Sequence, residues 1–319
     1  MRLVGIFVGL YLCSLPAAAW HEAGHRATAE IAFELLSTVE QQLVIDILRM
    51  HPRFDEDFVE HMPVHISEGD THSQSSWLLQ QASIWPDLIR RLDGSIRHQY
   101  NNSRWHYVNL PVWLTPEDER AIAGHLNHNM DTIFTPPMRP GLNAIQALRG
   151  NLQIWRDTNT PSRDKAISLC WILHLTGDLH QPLHTVALFS QTLFPSGDRG
   201  GNSIKVRRGK RTSNLHTFWD ELPTPMMDLA SPPGTLVLTD EDISNDSIDI
   251  WLHDHAELAR KFVYTDALKA QILAVAGKQE TVILPLDENY LSNAQKLARK
   301  QINLAGQRVA KLLTESADQ

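Results

Sequence analysis

Two pairs of residues spaced four apart carry the first chemical signal in the chain: His174 with Asp178, and His216 with Asp220. Residues four apart on an α-helix share a face, so each pair can aim an imidazole and a carboxylate at one ion. The first pair lies on the stripe that also carries Ile167, Cys170 and Trp171, and polar groups turned toward a core need a partner. Either pair alone could be an ordinary helical hydrogen bond. His184, at the end of Gly177-Asp178-Leu179-His180-Gln181-Pro182-Leu183-His184, brings a fifth such group into the same stretch, and the five together point to metal. Imidazole and carboxylate without thiolate is the donor set of catalytic zinc, which keeps a position for an exchangeable water. Cysteine is too scarce to compete. The chain has two, against 16 histidines, which excludes a disulfide scaffold and a Cys-rich zinc module.

A further arrangement sits near the N-terminus. His21-Glu22-Ala23-Gly24-His25 fits the H-E-x-x-H pattern of zinc metalloproteases, with Glu22 as general base. No H-x-x-G-x-x-H continuation follows, and the motif begins directly after a leader-like segment. Met1 and Arg2 are a short positive start, Leu3 to Leu15 is an apolar run, and Ala17-Ala18-Ala19 offers the small residues that signal peptidase reads. Residues 1–19 are therefore predicted to be a signal peptide removed before Trp20. The run is shorter than the roughly 20 apolar residues of a membrane span, so no membrane anchor is expected. Cleavage would free an α-amine on Trp20. Together with the Trp20 carbonyl and His25, one helical turn on, that amine could chelate a metal, leaving His21 and Glu22 on the surface.

Helices must position these groups. Apolar residues recur at helical spacing over 142–155, 167–175, 251–262 and 290–312, the last entered through Leu286-Asp287-Glu288. Ser213 or Asn214 can cap the helix bearing His216 and Asp220, and Pro182 ends or redirects the one bearing Asp178. Strand patterning is confined to 105–110 and to Ser203–Arg208, the latter closing a hairpin at Arg208-Gly209-Lys210. Pro-rich turns at 135–137 and 231–234 and the Gly-rich 196–201 interrupt the helices, and no stretch reads as a linker. The expected fold class is mainly α, a single helical domain over 20–319 with a small β-hairpin.

With 319 residues, 42% hydrophobic and 21% charged, the chain can bury a full core and is too apolar for disorder. Its formal net charge of -8 argues against a broad basic surface for gripping nucleic acid. Any phosphate ligand then needs a local source of positive charge. Lys205, Arg207, Arg208, Lys210 and Arg211 make the one dense basic run, which could guide a phosphate backbone or simply solvate a turn. After cleavage Cys170 is the only thiol, so an exported chain would rely on packing or metal to hold its fold.

The segments Trp20 to His25, Ala82-Ser83-Ile84-Trp85-Pro86-Asp87-Leu88-Ile89-Arg90, Trp105-His106-Tyr107-Val108-Asn109, Leu173 to His184, Gly200-Gly201-Asn202 and Asn214 to Asp220 form an ordered series. In order and spacing it resembles the three-zinc, single-strand-specific nucleases of the S1/P1 type. The resemblance spans most of residues 20–319 and implies a helical domain shared with zinc-dependent bacterial phospholipase C. It implies one zinc held by Asp87, His106, His174 and Asp178, and a second that shares Asp178 and is chelated by the Trp20 amine and carbonyl and by His25. A third would take His184, His216 and Asp220. Asp87 and His106 enter only through the resemblance, because an Asp after Trp-Pro ordinarily starts a helix and a lone His beside Trp105 ordinarily packs. Arg90, one turn after Asp87 on its helix, is implied to lie near the metals, holding Asp87 or steadying phosphorane charge, and His180 to stand just behind the ligands without binding metal itself. The remaining histidines, His125 and His128 included, match nothing and are read as structural or exposed.

The implied activity is hydrolysis of RNA and single-stranded DNA to 5'-phosphorylated products, with 3'-nucleotidase activity. A water between the paired zincs, acidified by them, would attack phosphorus in line while the third zinc neutralises the leaving oxygen. Asn202, Lys205 and Arg207 are candidate substrate contacts. A phospholipase C on the same scaffold and a non-catalytic zinc-binding exported protein are the alternatives. The base-clamping residues of fungal members do not transfer to Asn109-Leu110-Pro111-Val112-Trp113-Leu114, which leaves Trp113 either as a stacking platform or as a packed side chain. With the fungal disulfides also absent, a secreted or periplasmic bacterial monomer is expected, and the sequons at Asn101 and Asn245 carry little weight.

Overall fold

The computed structural model of the protein describes residues 20–223, 247–277 and 282–315. The predicted leader, the 231–234 turn and the Asn245 sequon lie outside the described residues. Four long helices make the frame: Glu22–Leu35, Thr71–Leu88, Ser162–Leu179 and Glu288–Thr314. Ser162–Leu179 is its axis, buried at every residue from Ser168 onward, and it packs on Thr71–Leu88, Thr38–Leu48 and Ala144–Arg156. Periodicity predicts an amphipathic helix here. Neighbours on all sides explain why its second half is instead apolar around most of its circumference, with His174 and Asp178 as buried exceptions. Glu22–Leu35 lies between Thr71–Leu88 and the C-terminal Glu288–Thr314. The last contact is so close that a Cβ on Gly306 would stand 2.6 Å from Ile31 Cβ and 3.0 Å from the Thr28 carbonyl oxygen.

Helix starts follow local sequence. Asn143 and Gln146 form a capping box on Ala144–Arg156, Asp287 caps Glu288–Thr314, and Asn214, not Ser213, caps Leu215–Asp220. The helix expected over 251–262 divides into Ile248–Leu258 and a π-helical turn, Ala259–Val263.

The strand expected at 105–110 lies further along. β1 is Leu110–Trp113, paired in parallel with β2, Val186–Phe189, with Leu110 opposite Val186. Trp105 and His106 instead occupy the turn before β1. The Trp105 indole donates to the Arg139 carbonyl at 2.9 Å and packs edge-on against Trp171, tertiary contacts that alternation does not encode. β2 has no alternation to detect, because all four of its residues are buried. The expected hairpin forms from β3, Lys205–Arg208, and β4, Arg211–Asn214, with Gly209 at φ +57° in the two-residue turn. β5, Leu284–Pro285, adds in parallel to β3. No helix among the described residues is long and apolar enough to cross a membrane.

Gly306→Ala is expected to lower the unfolding free energy by about 1–2 kcal/mol, because overpacking outweighs the better helix propensity of Ala. Gly94→Ala, whose methyl would meet nothing within 4 Å, should leave it unchanged or slightly raised. Urea unfolding of the two variants checks the contrast.

Candidate metal centre

Three sets of side chains converge inside this frame, each with ligand-capable atoms within 4.8 Å of one another: His25, Asp87 and His174; His106, His174 and Asp178; His184, His216 and Asp220. The first two sets share His174 and form one assembly. Asp178 divides its oxygens within it, Oδ1 lying 3.4 Å from His25 Nε2, and Oδ2 3.1 Å from His106 Nδ1 and 3.3 Å from His174 Nε2. All eight residues are buried. The least enclosed part is the Asp87 and Arg90 side chains, 11% and 18% exposed.

Each carboxylate sits at the C-terminal end of a helix. Asp87 and Asp178 are the penultimate residues of theirs and Asp220 is the last of its own. Pro86 lies inside the first of these helices and has no N–H to give the preceding turn, yet the helix runs on to Leu88. A carboxylate placed there meets the negative end of the helix dipole. Burial adds a second penalty, pushing Asp178 well above the usual carboxylate range with the Asp87 charge reinforcing it, and raising Asp220 likewise. Imidazoles move the other way. Burial lowers His25 and His216 to about 4, and lowers His106, His174 and His184 well below the usual range. They are neutral at pH 7, the form in which histidine binds a metal.

Backbone carbonyls fix the rings. His174 Nδ1 lies 2.8 Å from the Ser83 oxygen, His184 Nδ1 2.6 Å from that of His106, and His216 Nδ1 2.6 Å from that of Gly200. A carbonyl can only accept, so each Nδ1 carries the proton and each Nε2 offers a lone pair. The β1–β2 ladder contributes here: Val108 donates to the His184 carbonyl at 2.8 Å just ahead of it, so His106 and His184 are locked side by side. Gln181 holds Asp220, donating Nε2 to Oδ1 at 2.7 Å while accepting the Leu183 N–H at 2.6 Å, and Asp220 Oδ2 is left 3.6 Å from His216 Nε2. Arg90 Nη1 stands 3.2 Å from Asp87 Oδ1. The His25 ring stacks on His174 at 4.1 Å and rests on Gly177, where a Cβ would come within 2.6 Å of Nδ1.

What these bonds leave over is the test of metal fit. His25 Nε2, Asp178 Oδ1, His184 Nε2 and Asp220 Oδ2 are buried with no hydrogen-bond partner, and Asp87 Oδ1 has the Arg90 ion pair but no hydrogen bond. Such atoms are uncommon in a folded protein. Unsatisfied nitrogen and oxygen atoms gathered within coordination reach of each other, with no thiolate, suit a divalent cation such as zinc.

The side chains His25, Asp87, His106, His174, Asp178, His184, His216 and Asp220 are thus brought together, with His25 grouped with Asp87 and His174 where the resemblance implied Asp178 and the Trp20 terminus. The Trp20 side chain is fully buried against Gly24, and the His21 N–H donates to the Asp220 carbonyl at 3.0 Å, so the Trp20–His21 peptide lies beside the third cluster. His21 and Glu22 turn outward, His21 toward Glu221 and Glu22 into an ion pair with Arg26; H-E-x-x-H does not converge on one ion. Arg90 belongs to a 3-10 turn, Ile89–Arg91, and not to the helix of Asp87. His180 faces away, with Nδ1 2.7 Å from the Thr176 carbonyl and Nε2 2.9 Å from Arg308 Nη1. Lys205 and Arg207 are exposed on β3, and the Asn202 amide donates to the Arg199 carbonyl at 2.8 Å; none of the three joins a cluster. Trp113 packs against Phe189. Gln181 was not foreseen, although it lies inside a recognised motif. Ser83 acts through its carbonyl and leaves no trace in residue type, whereas Gly200, which also acts through its carbonyl, lies in the Gly200-Gly201-Asn202 segment that the sequence shows.

Fold and site together define a mainly helical protein built around three buried clusters of His and Asp side chains that could hold metal. The chain belongs to the S1/P1 nuclease family, whose family model matches residues 20–318. It is similar to Endonuclease 1 of Arabidopsis thaliana, 29% identical over 69% of this chain and 59% of that protein, and to Endonuclease 2 of the same plant, 40% identical over 63% and 54%. Nuclease S1 of Aspergillus oryzae is 30% identical over 38% of this chain and 42% of its own length. The matched region thus spans two fifths to three fifths of these curated relatives.

The shifted groups dictate how the metal-stripped protein responds to acid. Its buried histidines take up protons only after unfolding, so their contribution, present above about pH 6.5, is lost as pH falls toward their lowered values. Asp220, being raised, has the opposite sign: its contribution is full below the usual carboxylate range and lost as pH rises through its folded value. Stripped Asp220→Asn should therefore match or exceed wild type in stability at pH 7 and lose stability more steeply on acidification. Urea titrations at pH 7 and 5 provide the measurement.

Proposed function

We propose that the protein is an exported zinc-dependent nuclease. It would cleave phosphodiester bonds of RNA and single-stranded DNA to 5'-phosphorylated products and release phosphate from 3'-nucleotides, in a mature form that begins at Trp20. The observation carrying this reading is the set of three buried His/Asp clusters in a chain of the S1/P1 nuclease family. The names Endonuclease and Nuclease S1 borne by its relatives support the substrate class. Three zinc ions at these clusters would supply Lewis acidity: a water reactive near neutral pH, and positive charge for the phosphate and leaving oxygen.

The chain's own groups have separable tasks. Asp87, His106, His174 and Asp178 would hold one ion, His25 and Asp178 with the Trp20 amine and carbonyl a second, and His184, His216 and Asp220 a third. Arg90, its guanidinium against Asp87 beside the least enclosed part of the site, keeps that carboxylate aligned and presents charge to an arriving phosphate. Burial of the clusters favours a flexible strand, whose bases splay, over a stacked duplex. Lys205 and Arg207, together with Asn202, provide a basic approach, because β3 pairs with β4 and β4 runs directly into the helix of His216 and Asp220.

Protein beginning at Trp20 should degrade poly(A) and single-stranded DNA at least tenfold faster than duplex DNA, and chelator should abolish both activities. Hydrolysis of phosphatidylcholine in place of polynucleotide would reassign the site to lipids, and zinc binding without release of nucleotides would make it non-catalytic. One extra residue before Trp20 displaces the terminal amine, so that form should retain less zinc by elemental analysis and lose activity. Wild-type zinc content and rate in that form would count against the terminal chelate.

A further inference from the structure

The loop between β2 and β3 has three consecutive residues at positive φ, Arg199 at 63°, Gly200 at 59° and Gly201 at 83°. For Arg199 that conformation is unfavourable and needs an external hold. Asp198 provides it. Its side chain is fully buried; Oδ1 accepts the Leu188 N–H at 2.9 Å, and Oδ2 accepts the Gly201 N–H at 3.0 Å and the Tyr264 hydroxyl at 2.6 Å. Its backbone N–H donates to the Leu188 carbonyl at 2.9 Å, and its carbonyl accepts the Ser203 N–H at 3.0 Å. One carboxylate therefore ties the loop to β2 on one side and, through Tyr264, to the end of the Ala259–Val263 turn on the other.

The loop so held delivers the Gly200 carbonyl to His216 Nδ1 at 2.6 Å. The approach requires glycine, because a Cβ at position 200 would stand 2.5 Å from the Leu183 carbonyl oxygen and 3.5 Å from His216 Nδ1. Asp198 belongs to none of the three clusters, and burying a carboxylate is expensive where packing alone is needed. Three charge-assisted hydrogen bonds give what apolar packing does not, a fixed direction for a nearby carbonyl. The five side chains of the paired clusters come from three long helices and the turn before β1, and not from this loop.

We infer that Asp198, assisted by Tyr264, is a positioning residue for the third metal cluster, acting through the Gly200 carbonyl to orient His216. The inference rests on the reading of the clusters as three zinc sites. Outer hydrogen-bond partners of metal ligands typically change metal affinity by about 10–100-fold, and here the change should be confined to one ion.

The test is zinc titration against a competing chelator, using the whole chain from Trp20 with Asp198→Asn and Tyr264→Phe. Two ions should be held as in wild type and the third about 10–100-fold more weakly in Asp198→Asn, with a smaller loss in Tyr264→Phe. Excess zinc should restore activity in part. Should Asp198→Asn fail to fold, Tyr264→Phe decides alone, since it removes one donor and keeps the carboxylate. Wild-type affinity for the third ion overturns the inference, and so does equal weakening of all ions, the mark of a general structural role. Fewer than three ions on the wild-type chain would instead refute the three-site reading.

Discussion

Burying three carboxylates at helix C-termini is the constraint on which this structure depends. Asp87, Asp178 and Asp220 each stand where the helix dipole repels negative charge, and Asp178 and Asp220 are almost completely removed from water. Protein groups alone meet this demand incompletely: Arg90 reaches Asp87, Gln181 reaches one oxygen of Asp220, and the rest is imidazole that burial keeps neutral. A cation between them reverses the sign of the problem, so the same carboxylates become anchors. Cys170, buried and free, is the only cysteine among the described residues. With no disulfide among the described residues, ions at these clusters would also tie the helices together.

Orientation is a separate problem from charge, and the backbone meets it. His174 is aimed by a carbonyl from the Thr71–Leu88 helix, His184 by one from the His106 turn, and His216 by one from the loop before β3. Each ring is thereby tied to an element other than its own. A shift between elements large enough to misplace a ligand would break a short hydrogen bond, so the geometry is set before an ion arrives. Gly177 and Gly200 belong to the same design, because each leaves room for an imidazole or a carbonyl to approach a backbone it could not otherwise reach.

How much of this was legible follows from the range of each interaction. His174 with Asp178 and His216 with Asp220 could be read because helical spacing alone places them on one face, and the caps Asn214 and Asp287 act within a turn of their own residue. Asp87 and His106 became visible only through resemblance to a family, since their meeting depends on how the Thr71–Leu88 helix and the β1–β2 ladder pack against the central helix. The strand expected at 105–110 failed for the same reason: Trp105 answers to Arg139 and Trp171, not to its sequence neighbours. Carbonyl acceptors such as that of Ser83 are illegible in principle, because every residue has one.

Net charge is the property whose meaning changes most between chain and structure. A value of -8 taken as a uniform surface would repel a polyanion. The carboxylates of Asp87, Asp178 and Asp220 are not part of that surface, however; they face inward on the atoms that would carry divalent cations. A phosphate approaching past Arg90 would meet a local field set by those ions and not by the acidic exterior. A negative net charge is thus compatible with a phosphate reaching these clusters once divalent cations occupy them.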